Sequence, residues 1–265
     1  MIAITQTATL VQSARRTQRA SISSPKRLAR IAGVLYLIVG IFGGFAEGFM
    51  EPNMYVAGDA ATTAGNVVAN AGLARIGVVA DLFQVTVFVF LAMTLYLLLG
   101  HVNRNAARAM VILVAIATGI MCLNDVFEFE GLRVATGALN LAAPGTVGSN
   151  ALVLLLLDLQ HYGLLIAQIF FGLWLVPLGY LAYKSGMFPK SLGVGLIVGG
   201  VCYLVDTLAL LLIPDVGTRI AGFVVIPSAI AEFWMLGYLL VIGVRSPHPT
   251  DRVPIAAPSQ ATSTP

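Results

Sequence analysis

The sequence predicts an all-α protein, a polytopic membrane helix bundle of about six transmembrane helices with both termini on the cytoplasmic side. Three observations carry this. Of the 265 residues, 58% are hydrophobic and only 10% are charged, against about 25% charged in soluble domains. Mean hydropathy is +0.90. The positive charges alternate from one set of connections to the other. Too few charged groups remain to coat a water-facing surface, so lipid is the solvent for much of the chain. The basic residues sit at helix ends rather than on one face, which argues against nucleic-acid binding.

A bilayer core of roughly 30 Å takes about 20 apolar residues in helix. Six stretches qualify: Leu28–Phe49, Ile76–Leu99, Ala109–Phe127, Leu152–Tyr183, Leu192–Ile213 and Ile220–Ile242. Pro177 stands in the fourth as a candidate kink, and Pro227 in the sixth, where neighbouring helices can satisfy the freed carbonyl. Gly100–Asn105 reads as a short polar turn. Lys184–Lys190 has Gly186 just past a helix end and Pro189 soon after, a stop signal. Pro214–Gly217 is a tight turn. The alanine-rich stretch Asp59–Ala74 reads as a short helix on the membrane surface, and Leu132–Asn150 has weaker signals. The expected organisation is a basic disordered tail over residues 1–27, one six-helix transmembrane domain over 28–244, and a disordered tail over 245–265 rich in Pro, Ser and Thr.

Positive residues flanking spans stay in the cytoplasm. With the N-terminus inside, the inner segments carry Arg15, Arg16, Arg19, Lys26, Arg27, Arg30, Arg104, Arg108, Lys184, Lys190, Arg245 and Arg252, and the outer segments carry Arg75, Arg133 and Arg219. A wrong span count would scramble that bias. The competing reading of the N-terminus is a signal peptide with small residues at Gly43–Ala46. The long basic tail and the full membrane length of the first stretch favour a retained span. The expected localisation is multi-pass in the cell (plasma) membrane, a bacterial inner membrane.

Every stretch contains or ends in a carboxylate: Glu47, Asp81, Asp125 with Glu128 a turn on, Asp158, Asp206 and Glu232. Ionisable residues in a membrane are costly and face the bundle interior. At about 1.5 Å per residue, Glu47, Asp81, Asp125, Asp158 and Asp206 fall in the outer third, and Glu232 and His161 fall near the midplane. Helical spacing joins Asp158, His161 and Gln168 in one stripe, Asp81 with Gln84, Asn124 with Glu128, Tyr203 with Asp206 and Thr207, and Ser228 with Glu232. If the stripes converge, they form an acidic cavity open to the outside. Two readings stand side by side. One is an interhelical hydrogen-bond network with acids protonated or paired to Arg75, Arg133 or Arg219. The other is a site for a cation, proton, lipid headgroup or polar substrate. One histidine among scattered carboxylates lacks zinc-ligand spacing, so no metal is assigned, with Asp158 and His161 the residues a metal would use. His101 lies at the opposite end and His248 in the tail. No cofactor is expected.

Gly40, Gly44 and Gly48, and Gly195 with Gly199, repeat a small-xxx-small spacing that suits close helix packing. Trp174, Trp234, Tyr36, Tyr96, Tyr180 and Tyr183 read as packing or interface anchors. Cys122 and Cys202 lie in apolar runs and read as small apolar residues. The expected partners are the lipid bilayer and, at the basic N-terminal segment, anionic lipid. The oligomeric state is open. Walker, dinucleotide, HExxH and GxSxG motifs are absent.

Four stretches carry a family likeness: Arg30-Ile31-Ala32-Gly33-Val34-Leu35-Tyr36-Leu37, Arg75-Ile76-Gly77-Val78-Val79-Ala80-Asp81-Leu82, Leu157-Asp158-Leu159-Gln160-His161-Tyr162-Gly163, and the block Phe170–Asp206 with Gly179-Tyr180-Leu181 and Ser185–Lys190. On these the chain, from about Leu28 to Val244, resembles the bacterial membrane family catalogued as domain of unknown function 4386. The resemblance implies a six-span membrane protein and carries over no catalytic residue. Three functions follow as alternatives. The first is a non-enzymatic small-solute or ion carrier or accessory membrane factor. The second is a membrane-embedded enzyme using Asp158 and His161 with nearby carboxylates. The third is a packing subunit of a larger membrane complex.

Overall fold

The computed structural model describes residues 25–139 and 145–245. Both expected disordered tails, apart from a few residues at their inner ends, and part of the 132–150 connection lie outside the described residues. Among the described residues nine α-helices run in order: α1 Pro25–Phe45, α2 Glu51–Met54, α3 Ala60–Ala69, α4 Ala71–Leu99, α5 Arg104–Ala135, α6 Gly145–Ser185, α7 Lys190–Leu212, α8 Pro214–Val224 and α9 Ile226–Val241. They make six segments long and apolar enough to cross a membrane: Pro25–Met54, Ala71–Leu99, Arg104–Ala135, Gly145–Ser185, Lys190–Leu212 and Pro214–Val241. Among the described residues there is no strand.

Local chemistry sets the ends. Asn103 caps α5, its side-chain oxygen accepting from the Asn105 and Ala106 amides at 3.0 and 3.1 Å. Asp59 caps α3 in the same way through Thr62, satisfying donors that a helix start leaves free. After α6, Gly186 turns the chain at φ +68°, a conformation costly for any residue with a Cβ.

The segments form a ring in chain order. α1 packs on α4, α4 on α5, α5 on α6, α6 on α7, and α7 on α9, which closes on α1. Trp174 of α6 fills the centre, edge-on to Tyr36 of α1 and Phe88 of α4. One large apolar core gathers the start of α1, the turn at Val102, Met187 and Phe188 after α6, and Val244 after α9. These are the elements that carry Lys26, Arg27, Arg30, Arg104, Arg108, Lys184, Lys190 and Arg245, so the ring has a basic end. A second core of Met50, Met54, Ala64, Val67, Leu132, Val153 and Leu157 closes the other end. Large apolar residues such as Ile41, Val79, Phe90, Leu97 and Phe233 cover the outside, as lipid contact requires.

Several expected boundaries move. The first span runs five residues past Phe49. It does so through a π-helical turn, Ala46–Met50, in which the Glu51 amide reaches the Ala46 carbonyl five residues back. Pro52 follows at once, and its ring crowds the carbonyl four residues earlier, which the widened turn relieves. The sixth span is not one helix. It breaks at Val225, so Pro227 stands in the first turn of α9, where no amide is needed. Pro177 is carried inside α6 without ending it. The Asp59–Ala74 stretch does hold a helix, α3, but its Ala64 and Val67 are buried in the second core against the bundle end rather than lying on the membrane surface.

Glycine placement also differs. A Cβ added at Gly40, Gly44 or Gly48 would meet nothing within 4 Å, so within this chain those three pack against no helix. All three lie on the exposed side of the first span. Gly199 lies against Ser228 of α9, whose hydroxyl donates to the Gly199 carbonyl at 2.7 Å, and Gly195 faces Ala231. The closest helix approach is elsewhere, between α6 and α7. There Gly172 faces Gly200, and Gly179 faces Gly193, each carbonyl pressed on the opposite glycine.

Candidate functional site

The polar residues of the spans do not converge on one cavity. They gather in two clusters at different depths.

The first lies toward the end remote from the basic residues. Asp81 of α4 and Asp125 of α5 are 5% and 4% exposed, and their carboxyl groups lie close enough to interact directly. Asp81 Oδ1 and Asp125 Oδ2 have no partner in the protein, nor does Oε1 of Gln84, one turn along α4. The Gln84 amide packs over Gly43 of α1. Glu47 and Glu128 are close enough to both aspartates or to Asp81 to feel their charge, and Glu51 adds a further acid. Among the described residues no arginine pairs with this group. Arg133 pairs instead with Glu130 on its own helix, at 2.6 Å. Asn124 is buried beside the pair and lies against Gly163 of α6, where any Cβ would collide with its side-chain oxygen.

A strap covers this cluster. Segment 51–59 folds back from the first span over α6. The Tyr55 hydroxyl donates to Asp158 Oδ1 at 2.5 Å, Glu51 Oε1 lies 2.7 Å from His161 Nδ1, and the Tyr55 ring stacks on His161 with centroids 4.9 Å apart. Burial, and then the bond to Asp158, hold the Tyr55 phenol above its ordinary pKa. The cavity beneath is lined by Met50, Glu51, Tyr55, Glu128, Leu132 and Gln160 and measures about 20 Å³, room for about one water molecule.

The second cluster is deeper. Glu232 of α9 accepts from the Tyr36 hydroxyl of α1 at 2.7 Å and faces the Tyr203 hydroxyl of α7. One turn along α7, Asp206 Oδ2 accepts from Gln168 at 3.1 Å, while Asp206 Oδ1 and the Thr207 hydroxyl are buried without partners. A small apolar group, Val85, Met121, Ala167 and Phe171, occupies the bundle near both.

The stripe Asp158–His161–Gln168 is therefore divided. Asp158 and His161 are taken by the strap, and Gln168 belongs to the deep cluster. His161 is not near the midplane. It sits by the last turn of the first span, because α6 has 41 residues, about 60 Å, and overhangs the membrane core. Among the described residues no group of three or more His, Cys, Asp or Glu is placed to hold a metal ion. Cys122 is exposed on the lipid-facing side and Cys202 is half-buried; both are free thiols.

Sequence reasoning missed Glu51 and Tyr55. Glu47, Glu51 and Tyr55 recur at four-residue spacing, which was the available signal. Placing the end of the first span at Phe49 hid it.

None of the curated proteins and none of the solved structures compared with this chain matches it. The family profile described as domain of unknown function (DUF4386) matches residues 31–243. That covers nearly all of the ring of spans and both clusters, and on it this multi-pass, membrane-spanning chain belongs to the DUF4386 family.

Proposed function

We propose that this protein is a non-enzymatic carrier that takes a proton or small cation into its acid-lined outer end, with the Asp81–Asp125 pair as the binding element. The observation that carries this is two buried carboxyl groups close together, each with an oxygen that meets no donor, and no basic side chain opposite among the described residues. Such a pair is neutralised by a shared proton or by a bound cation. A plain structural network leaves fewer buried oxygens unused.

In this reading the basic end faces the cytoplasm, as the preference of positive residues for that side favours, the acid cluster opens outward, and the protein works in the plasma membrane. Glu232 with Tyr36 and Tyr203, and Asp206 with Gln168, then supply ionisable groups on the way inward. The strap of Glu51 and Tyr55 on His161 and Asp158 closes the outer mouth.

The test is flux. The purified protein is reconstituted in liposomes with a trapped pH dye, and an inward gradient of protons, sodium or potassium is imposed. Gradient-driven dye response above empty liposomes, lowered about tenfold or more in Asp81→Asn and in Asp125→Asn, is the expected result. Wild-type protein indistinguishable from empty liposomes under all three gradients would remove the proposal.

A second reading draws on the Glu51–His161 contact, a carboxylate orienting an imidazole at the mouth of a cavity, as an acid/base enzyme requires. It predicts that His161→Gln abolishes turnover of an externally added substrate while leaving ion flux intact.

A further inference from the structure

The basic end holds a second feature, independent of the acids. Between the last turns of α4 and the first turns of α5 runs an open groove of about 420 Å³, lined by Met93, Tyr96, Leu97, Arg108, Val111 and Ile112. Its floor is apolar and exposed: Met93 is 50%, Leu97 66% and Ile112 58% accessible. At its mouth the guanidinium groups of Arg104 and Arg108 both face the Tyr96 hydroxyl. Neither arginine makes an ion pair among the described residues. The acids nearest in sequence, Asp81 and Asp125, belong to the opposite half of the bundle. Two cations thus converge on one hydroxyl, uncompensated by any described carboxylate, at the rim of a lipid-facing apolar channel.

We propose that this groove is a binding site for an acidic glycerophospholipid. The phosphate sits among Arg104, Arg108 and the Tyr96 hydroxyl, and one acyl chain lies along Met93, Leu97 and Ile112. The chemistry is specific at both ends. Guanidinium forks match phosphate oxygens in a way an ammonium does not, and tyrosine sits at headgroup level with its ring toward the tails. Arg108 and Tyr96 lie within about two turns of their helix ends, the depth of a headgroup. Met93, Val111 and Ile112 lie about one turn further in, the depth of a chain. A pure boundary lipid would need the apolar floor but not the arginine pair. A free-anion site would need the pair but not the floor.

Native mass spectrometry of the purified protein, titrated separately with phosphatidylglycerol, phosphatidylcholine and inorganic phosphate, tests the site. Phosphatidylglycerol adducts form at lower concentration than phosphatidylcholine adducts. The double variant Arg104→Gln, Arg108→Gln weakens the former about thirtyfold, from about 1 kcal/mol for each arginine near an anionic headgroup. Arg219→Gln, at the far end, leaves binding unchanged. Leu97→Trp fills the channel while keeping both arginines, so it lowers lipid binding even if the double variant folds poorly. Equal binding of the two lipids, wild-type binding in the double variant, or displacement of the lipid by inorganic phosphate at equal concentration would each overturn the proposal.

Discussion

The Tyr36 hydroxyl donates to the Glu232 carboxylate at 2.7 Å, and with that bond the first span is latched to the last deep inside the ring. Both residues are flanked by the core, Tyr36 edge-on to Trp174. Interhelical hydrogen bonds in membranes are modest, and Tyr36→Phe is expected to cost about 0.5–2 kcal/mol. Glu232→Leu costs more, about 1–3 kcal/mol, because it orphans the hydroxyls of both Tyr36 and Tyr203. Denaturant titration in mixed micelles should give that order. The reverse order would mean that Glu232 is held by something other than the two phenols.

The glycines divide sharply by position. Gly172 and Gly193 sit against a facing carbonyl of the neighbouring helix, so Gly172→Leu or Gly193→Leu must push α6 and α7 apart, at about 1–3 kcal/mol or more. Gly44→Ala has open space beside it and is expected to be neutral to within about 0.5 kcal/mol or slightly stabilising. Thermal unfolding of the three variants in one detergent checks this. A loss in Gly44→Ala equal to that in the other two would show that this face is covered by a partner.

Asp59 gives a pH prediction with a fixed sign. Hydrogen bonds from the Thr62 amide and hydroxyl hold its carboxyl below the ordinary value. A depressed folded-state pKa means that its contribution to α3 is present above the unfolded value, about 3.9, and is lost as pH falls through the folded one. Protection of the Thr62 and Thr63 amides, measured relative to their intrinsic exchange rates, should therefore fall on acidification below about pH 4, and Asp59→Asn, which keeps the capping acceptor, should remove most of that pH dependence.

The strap makes a prediction of its own. Tyr55→Phe removes the bond to Asp158 while keeping the stack on His161. Protease added outside right-side-out vesicles should then cut between residues 55 and 60 faster than in the wild type. Asp158→Asn, which still offers an oxygen acceptor, should be intermediate. Unchanged cleavage in Tyr55→Phe would show that the apolar contacts of Met54 and Val67 alone hold the strap.

What could be read beforehand follows the physics of each signal. Hydropathy reports how far a residue can travel into lipid, and so the six spans and their order were legible from apolar runs alone. The basic end was legible from Arg104, Lys184 and Arg245, because charge at helix ends needs no tertiary knowledge. Which helix a face meets was not legible. Helical spacing put Gly40, Gly44 and Gly48 on one face, correctly, but spacing is silent on whether that face turns to a neighbour or to lipid. Gly172 and Gly193, on different helices, share no spacing that sequence could reveal. The acids were each found, yet their grouping depends on the overhang of α6 and on the π turn before Glu51. That turn precedes Pro52, and the chain after it brings Glu51 and Tyr55 onto His161 and Asp158.

The central claim is that the Asp81–Asp125 pair exchanges a proton or cation with the outer water. Infrared difference spectroscopy on the reconstituted protein, stepping external pH or adding sodium or potassium, reads the carboxyl groups directly. The account predicts a carboxylic-acid carbonyl band that changes with the step and disappears in both Asp81→Asn and Asp125→Asn. A band that survives either substitution, or no carboxyl change across all steps, would contradict it.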